Sequence, residues 1–224
     1  MRSVLILGDL HFPFHHRVAL NRVLDRLQDK KFDVVVQIGD LLDQYCFSNF
    51  TKKNILKPDR EIKFGRELAQ NLWFNIHRFQ KKALKYQILG NHDVRLIKRA
   101  EEKLPEAQDL IKHTMNELYR FDHVKTITDP RDELIIDNII YTHGYASKIG
   151  DHVKKLHLSV VHGHRHRGEV TFIPIRNKTL FELDVGYLAD SKREPLGYLP
   201  TRTNNWTLGW GEIDEFGPRF IPIK

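Results

Sequence analysis

Acids, histidines and an asparagine recur in five short blocks of this 224-residue chain. They are Asp9-x-His11, Gly39-Asp40-x-x-Asp43, Gly90-Asn91-His92-Asp93, Tyr141-Thr142-His143-Gly144 and His162-Gly163-His164-Arg165-His166. Each alone has an ordinary explanation. Asp40 and Asp43 could cap a helix and place an acid in its first turn. Asn91-His92-Asp93 could be a turn. His164 and His166 could decorate an extended surface segment. Five such blocks in one chain call for a common purpose. Mixed oxygen and imidazole donors suit a first-row divalent metal: manganese first, with iron, zinc, cobalt or nickel as alternatives. There are enough donors for two ions, which one bridging carboxylate can hold ~3.5–4 Å apart. Such a pair turns a shared water into hydroxide at neutral pH and stabilises a phosphoryl group under attack. An unligated histidine can then protonate the leaving alkoxide.

Each block follows a predicted strand. Ser3–Leu7 reads as a buried strand ending at Gly8-Asp9, Asp33–Ile38 as a second ending at Gly39-Asp40, and Lys85–Leu89 as a third ending at Gly90-Asn91. Between them, Val18, Leu20, Val23, Leu24 and Leu27 keep a helical period, as do Leu68, Ala69, Leu72, Trp73, Ile76 and Phe79. Strand, helix, strand, helix, strand predicts a sheet covered by helices. In open α/β sheets, ligands bind at the carboxyl ends of the strands. Val94–Leu118 reads as helix interrupted at Pro105. The second half changes character. Val124–Ile127, Glu133–Ile136, Ile139–Thr142, Ser159–Val161, Val170–Ile173, Thr179–Val185 and Trp206–Ile213 read as short strands, with only Ser147–Leu156 able to hold a short helix. Arg219–Ile221 adds a last strand stopped by Pro222. These strands are expected to form a second sheet packed on the first. The expected organisation is one domain over 1–224, with a helical insertion at about 47–83 and a C-terminal extension at about 188–224.

Composition adds limits. The formal charge of +7 favours phosphate-bearing partners, although a generic solubilising surface accounts for it equally well. The single cysteine, Cys46, excludes an intramolecular disulfide. The early apolar run Val4-Leu5-Ile6-Leu7 is too short for a signal peptide or a membrane span. A cytoplasmic location and no membrane association are therefore expected.

Taken together, in this order, the five blocks resemble the signature of the calcineurin-like metallophosphoesterases. The match runs from residue 9 to residue 166. The resemblance implies a four-layer α/β/β/α sandwich of two mixed sheets flanked by helices. It implies that Asp9, His11, Asp40 and His166 hold one divalent ion. Asp40, Asn91, His143 and His164 would hold a second, with Asp40 bridging. His92 would be the general acid or would stabilise the leaving oxygen, and Asp43 would orient it. Asp93 would support or cap the loop. His162 lies outside the motif and reads as buried support for its strand end.

The family spans protein phosphatases, nucleotide phosphodiesterases and nucleases. In the Ser/Thr phosphatase branch, Arg-Gly usually follows the Asp43 position and Glu follows the Asn-His pair. Here Gln44-Tyr45 and Asp93 stand there. The phosphate-clamping arginine of that branch is thus missing from its expected place. The DNA-repair nuclease branch uses Asn-His-Asp, but its members usually carry a capping domain for which this chain is too short. The insertion interleaves Lys52, Lys53, Lys57, Arg60, Lys63 and Arg66 with Phe47, Phe50, Phe64, Trp73 and Phe74. Such a mixture can grip a nucleic-acid strand. The simpler reading, an amphipathic helix with aromatics in the core and lysines in solvent, is preferred. The leading expectation is a dinuclear phosphoesterase acting on a nucleotide or on DNA or RNA. The alternatives are a Ser/Thr protein phosphatase or general phosphomonoesterase, and more remotely a non-catalytic scaffold. Loops Leu10–Arg17 and Ser191–Asn205 are the candidates for shaping the substrate pocket.

Overall fold

Val4–Leu7 (β1) and Val34–Gln37 (β2) are buried at every position, as strands covered on both faces must be. They pair in parallel with each other. β2 pairs in parallel with Leu84–Ile88 (β3), and β3 with Lys125–Ile127 (β4). The computed structural model describes residues 1–49, 56–146, 148–193 and 205–223. Helices Arg17–Asp29 (α1) and Pro58–Phe79 (α2) cross between the parallel strands. α2 starts with Pro58 in its first turn, followed by Asp59 and Glu61, which suit the positive end of the helix. Arg95–Lys103 (α3) and Gln108–Leu118 (α4) are separated by a short turn at Pro105.

The second sheet holds Leu134–Ile136 (β5), Ile139–Tyr141 (β6), Ser159–His162 (β7), Glu169–Ile175 (β8) and Lys178–Asp184 (β9), in the order β5-β6-β7-β9-β8. Val4, Ile6, Val34, Val36 and Ile88 of the first sheet pack against Ile139, Tyr141, Val161 and Leu183 of the second. Leu5, Leu7 and Val35 face the other way, onto Val23 and Leu27 of α1 and Leu72, Trp73 and Ile76 of α2. Asp151–Leu156 (α5) covers the far face of the second sheet through Val153, against Ile140 and Val160. The layers are α/β/β/α, as the sequence led one to expect.

Three expectations need correction. Not all second-half strands join the second sheet. β4 pairs with β3, and Gly209–Asp214 (β10) pairs antiparallel with β1. Gly217–Pro222 (β11) then pairs with β10, giving the order β11-β10-β1-β2-β3-β4. An unpaired β1 edge would expose a row of backbone donors and acceptors, and β10 removes it. The last strand is not stopped before Pro222. Pro222 sits opposite Gly209, which an edge strand tolerates. The aromatics of α2 are divided: Trp73 is buried, but Phe64 and Phe74 are 48% and 66% exposed. Phe50, Lys52, Lys53 and most of Ser191–Asn205 lie outside the described residues. Among the described residues, no helix is long and apolar enough to cross a membrane.

β10 also carries the clamp that ties α1 to the sheet. The Glu212 side chain is fully buried and accepts from Arg26 Nε at 2.8 Å, Arg26 Nη2 at 2.9 Å and Trp210 Nε1 at 3.0 Å. Burial alone would raise the Glu212 pKa. The hydrogen bond and charge of Arg26 outweigh it and hold the carboxyl below its ordinary 4.5. A depressed carboxylate contributes stability above its unfolded pKa and loses it as the pH falls. Glu212→Ala should cost about 2–3 kcal/mol in urea unfolding at pH 7. That is less than for a fully buried pair, because Arg26 and Lys30 can turn to water. The gap between variant and wild type should shrink as the pH drops below 4.5. An undiminished gap at low pH would contradict the ion-pair account.

Candidate metal centre

The site lies where β1, β2, β3, β6 and β7 end. Several of its residues adopt left-handed backbone conformations that side chains disfavour: Asp9 (φ 53°), His11 (φ 49°), Asp40 (φ 53°), His164 (φ 69°) and His166 (φ 62°). Strain of this kind persists only where the surroundings hold it. Asp9 N donates to Gly39 O at 3.1 Å, and His11 N to Asp40 O at 2.9 Å. Asp93 anchors the second and third loops together. Its buried carboxylate accepts from Leu42 N and Gly90 N at 2.8 Å, Leu41 N at 3.2 Å and the Tyr119 hydroxyl at 2.8 Å. Burial and the nearby Asp40 charge push its pKa up to about 6. Two glycines let the backbone approach the carboxylates closely. A Cβ on Gly90 would overlap the Asp40 carboxylate, and one on Gly163 would overlap that of Asp9.

The structure brings all seven sequence-expected donors to one place. His166 Nε2 lies 2.9 Å from Asp9 Oδ1. His11 Nε2 lies 3.9 Å from Asp9 Oδ1 and 3.8 Å from Asp40 Oδ2. On the other side of Asp40, its Oδ2 is 3.4 Å from His143 Nε2. Asn91 Oδ1 is 2.9 Å from both His143 Nε2 and His164 Nδ1. Asp40 therefore stands between two groups of donors.

The proton positions fit a cation. His11 Nδ1 lies 2.9 Å from Asp43 Oδ2 and donates to it. Burial works against an ionised Asp43, but the charges and hydrogen bonds of His92 and His11 outweigh it and hold this carboxyl far below its ordinary range. In the neutral ring, His11 Nε2 then carries a lone pair, is fully buried and has no hydrogen-bond partner. Its neighbours at 3.8–3.9 Å are carboxylate oxygens, too far for a hydrogen bond. Ligand atoms each ~2.1 Å from one ion stand about 3.0–3.4 Å apart, so these groups need to close by only about half an ångström to share one. His143 repeats the pattern. Its Nδ1 donates to Ile38 O at 3.1 Å, so its Nε2 faces Asp40 and Asn91 oxygens. A proton could relieve that repulsion. Burial lowers the His143 pKa, but the carboxylates of Asp40 and Asp9 more than offset it and push it up to about 9. A metal ion would take that proton's place. His164 goes the other way, down to about 4, through burial and the neighbouring His143.

Asp43 and His92 form the flank of the site. Asp43 was expected to orient His92, and His92 Nδ1 is 3.5 Å from Asp43 Oδ1. Closer to Asp43 are His11 and Arg95, whose Nη1 donates to Asp43 Oδ1 at 2.9 Å and to its backbone O at 3.0 Å. Arg95 Nη2 is 3.0 Å from His92 Nε2. Sequence reasoning missed Arg95. Its signal was the spacing of three residues from His92 at the start of a predicted helix, which puts both on one face.

His162 has the buried supporting place foreseen for it, with two partners that were not. Glu182 Oε1 accepts from His162 Nε2 and His152 Nδ1, each at 3.0 Å. His152 Nε2 accepts from the backbone N–H groups of Tyr145 and Ala146, and His162 Nδ1 donates to Gly163 O at 2.8 Å. These three side chains meet the spacing a metal would need. The accounting argues against one, because His152 Nε2 acts as an acceptor only when Nδ1 carries the proton. The network joins the loops that carry His143, His164 and His166. Glu182→Ala should destabilise the chain by about 1–3 kcal/mol in urea unfolding, because it leaves two buried imidazoles without their shared acceptor. A loss below about 1 kcal/mol would refute the structural role of this network.

His15 and Arg17 of the first loop, offered above as pocket-shaping residues, face a different cavity between α1 and α2. A model of the calcineurin-like phosphoesterase family matches residues 2–219. The Gene 54 proteins of Mycobacterium phages D29 and L5 are 26% and 25% identical to this chain, each comparison covering 99% of it and 94% of the relative. Among solved structures, a Vps29 single mutant from Entamoeba histolytica overlaps with a TM-score of 0.48 at 14% identity, covering 95% of this chain and 85% of that one. The nuclease MPE of Pseudomonas putida overlaps with a TM-score of 0.39 at 14% identity, covering 98% and 87%. The chain belongs to the calcineurin-like phosphoesterase family.

Proposed function

We propose that this chain hydrolyses a phosphate ester of a nucleotide or nucleic acid, using two divalent ions of which manganese is the first choice. The observation that carries it is the position of Asp40 between two donor groups, each with an imidazole nitrogen aimed at its Oδ2. Asp9, His11, Asp40 and His166 would hold one ion, and Asp40, Asn91, His143 and His164 the other. When bound, such ions acidify a water and neutralise phosphoryl oxygens.

The chain's own groups do the rest. Asp43 fixes the ring of His11 through Nδ1, so that Nε2 is presented to the centre. Ile38 O does the same for His143. His92 is partly exposed at the rim of the site; Arg95 Nη2 donates to its Nε2 at 3.0 Å, so His92 would give a proton to a leaving oxygen once substrate displaces that contact. Arg95 holds Asp43 and reaches His92 Nε2. Its guanidinium bridges Asp43 and His92 on the flank of the site, whereas the residue after Asp43 is the neutral Gln44. The +7 charge and the sequence departures from the protein phosphatases support a nucleotide or nucleic-acid substrate.

Activity should appear with manganese and vanish with a chelator. His92→Ala should lower kcat about 10²–10⁴-fold while leaving metal content unchanged. The assay compares a phosphate monoester, a diester, nucleotides, and single- and double-stranded DNA. Turnover of monoesters alone would replace this reading with a phosphomonoesterase. No turnover by a metal-loaded chain would favour a binding role.

A further inference from the structure

Beside the metal-facing atoms opens a cavity of ≈ 290 Å³. Asn91 and Arg95, which also belong to the centre and its flank, line it together with Phe47, Asn49, Lys98, Arg99 and Glu102. The helical spacing of α3 aligns Arg95, Lys98 and Arg99 on one face. One turn carries a positive charge ~5.4 Å along the helix, comparable to the step between phosphates of an extended strand. Lys98 and Arg99 are exposed, and among the described residues neither has a carboxylate within ion-pair distance. Arg95 is different: it is spent on Asp43 and marks the end nearest His92. Glu102 removes one charge and leaves the wall positive. Phe47 is half-buried and lines the same cavity as these cations.

Aromatic face, amide groups and unpaired cations in one cavity are what a nucleotide unit needs: stacking for the base and charge for the phosphate. We propose that this cavity seats the nucleotide adjoining the scissile phosphate of a single-stranded nucleic acid, with Phe47 against its base and Lys98 and Arg99 on its phosphate. The proposal rests on the phosphoesterase reading above and specifies its substrate. A substrate with one phosphate and no second nucleotide would leave the cavity unused.

The test has two readouts. The first is binding of a fluorescent oligothymidylate to the full chain in EDTA, across a salt series, which needs no metal and no turnover. Lys98→Ala/Arg99→Ala should reduce the slope of log K against log salt by about 0.7, the contribution of one lost phosphate contact on a single strand. Phe47→Ala should weaken binding about 5- to 100-fold with little change in slope. The second readout is hydrolysis with manganese. The double variant should raise KM for the oligonucleotide at least tenfold, while bis(p-nitrophenyl) phosphate is turned over as by wild type. Both substituted cations are exposed on a helix, so this variant should keep the wild-type Tm. Unchanged oligonucleotide binding in both variants would overturn the subsite. Equal losses on duplex DNA, or losses on thymidine triphosphate but not on the oligonucleotide, would overturn the single-strand assignment. If the variants lose binding while wild type hydrolyses nothing, the subsite stands and the hydrolytic reading falls.

Discussion

Asp9 and Asp40 are buried carboxylates at the ends of two parallel strands, and imidazole nitrogens face them from three other loops. Taking such acids out of water is costly unless positive charge compensates. Part of the compensation is built into the chain. His92 N donates to Asp40 Oδ1 at 2.8 Å, and His164 N to Asp9 Oδ2 at 3.0 Å. The rest has to come from protons on the histidines or from bound cations. Asp43 and Ile38 O each take an N–H from the far side of a ring, so the near-side nitrogens of His11 and His143 face the carboxylates, where a proton or a metal ion can sit. The centre is organised around a positive charge that the polypeptide only partly supplies.

Much of the surrounding structure serves to keep these groups in place. Five site residues with left-handed backbones would relax if their loops were free. They sit between two packed cores, one beneath α1 and α2 and one between the sheets. The loops are also tied to one another. Asp93 joins the second to the third, and Glu182 with His152 and His162 joins the fourth to the fifth. Both ties are buried acids that serve the backbone rather than the reaction. A rigid frame of this kind suits chemistry in which donor positions must hold within a fraction of an ångström.

The chemistry-bearing residues were largely legible in the sequence, because each block falls where a buried strand stops and glycine begins. The two layers of sheet were legible for the same reason, through continuous apolar runs in the first half and short strands in the second. Pairing over long separations was not. Nothing in the residues of β10 says that it completes the first sheet beside β1, since its alternation fits either sheet. Charge pairing was equally hidden. Glu182 looks like any strand glutamate until the fold sets it between His152 and His162. Arg95 carried a weak signal in its helical spacing from His92, but its hold on Asp43 depends on the second loop folding over the third.

Metal content in a chain loaded with manganese and freed of excess ion tests the central claim most directly, by elemental analysis of wild type and of Asp40→Asn. A shared Asp40 predicts about two ions per wild-type chain and one or fewer in the variant, since both donor groups lose their common oxygen. A variant that retains two ions would contradict the bridging role. A wild type that binds one ion or none, while folded, would contradict the dinuclear account itself.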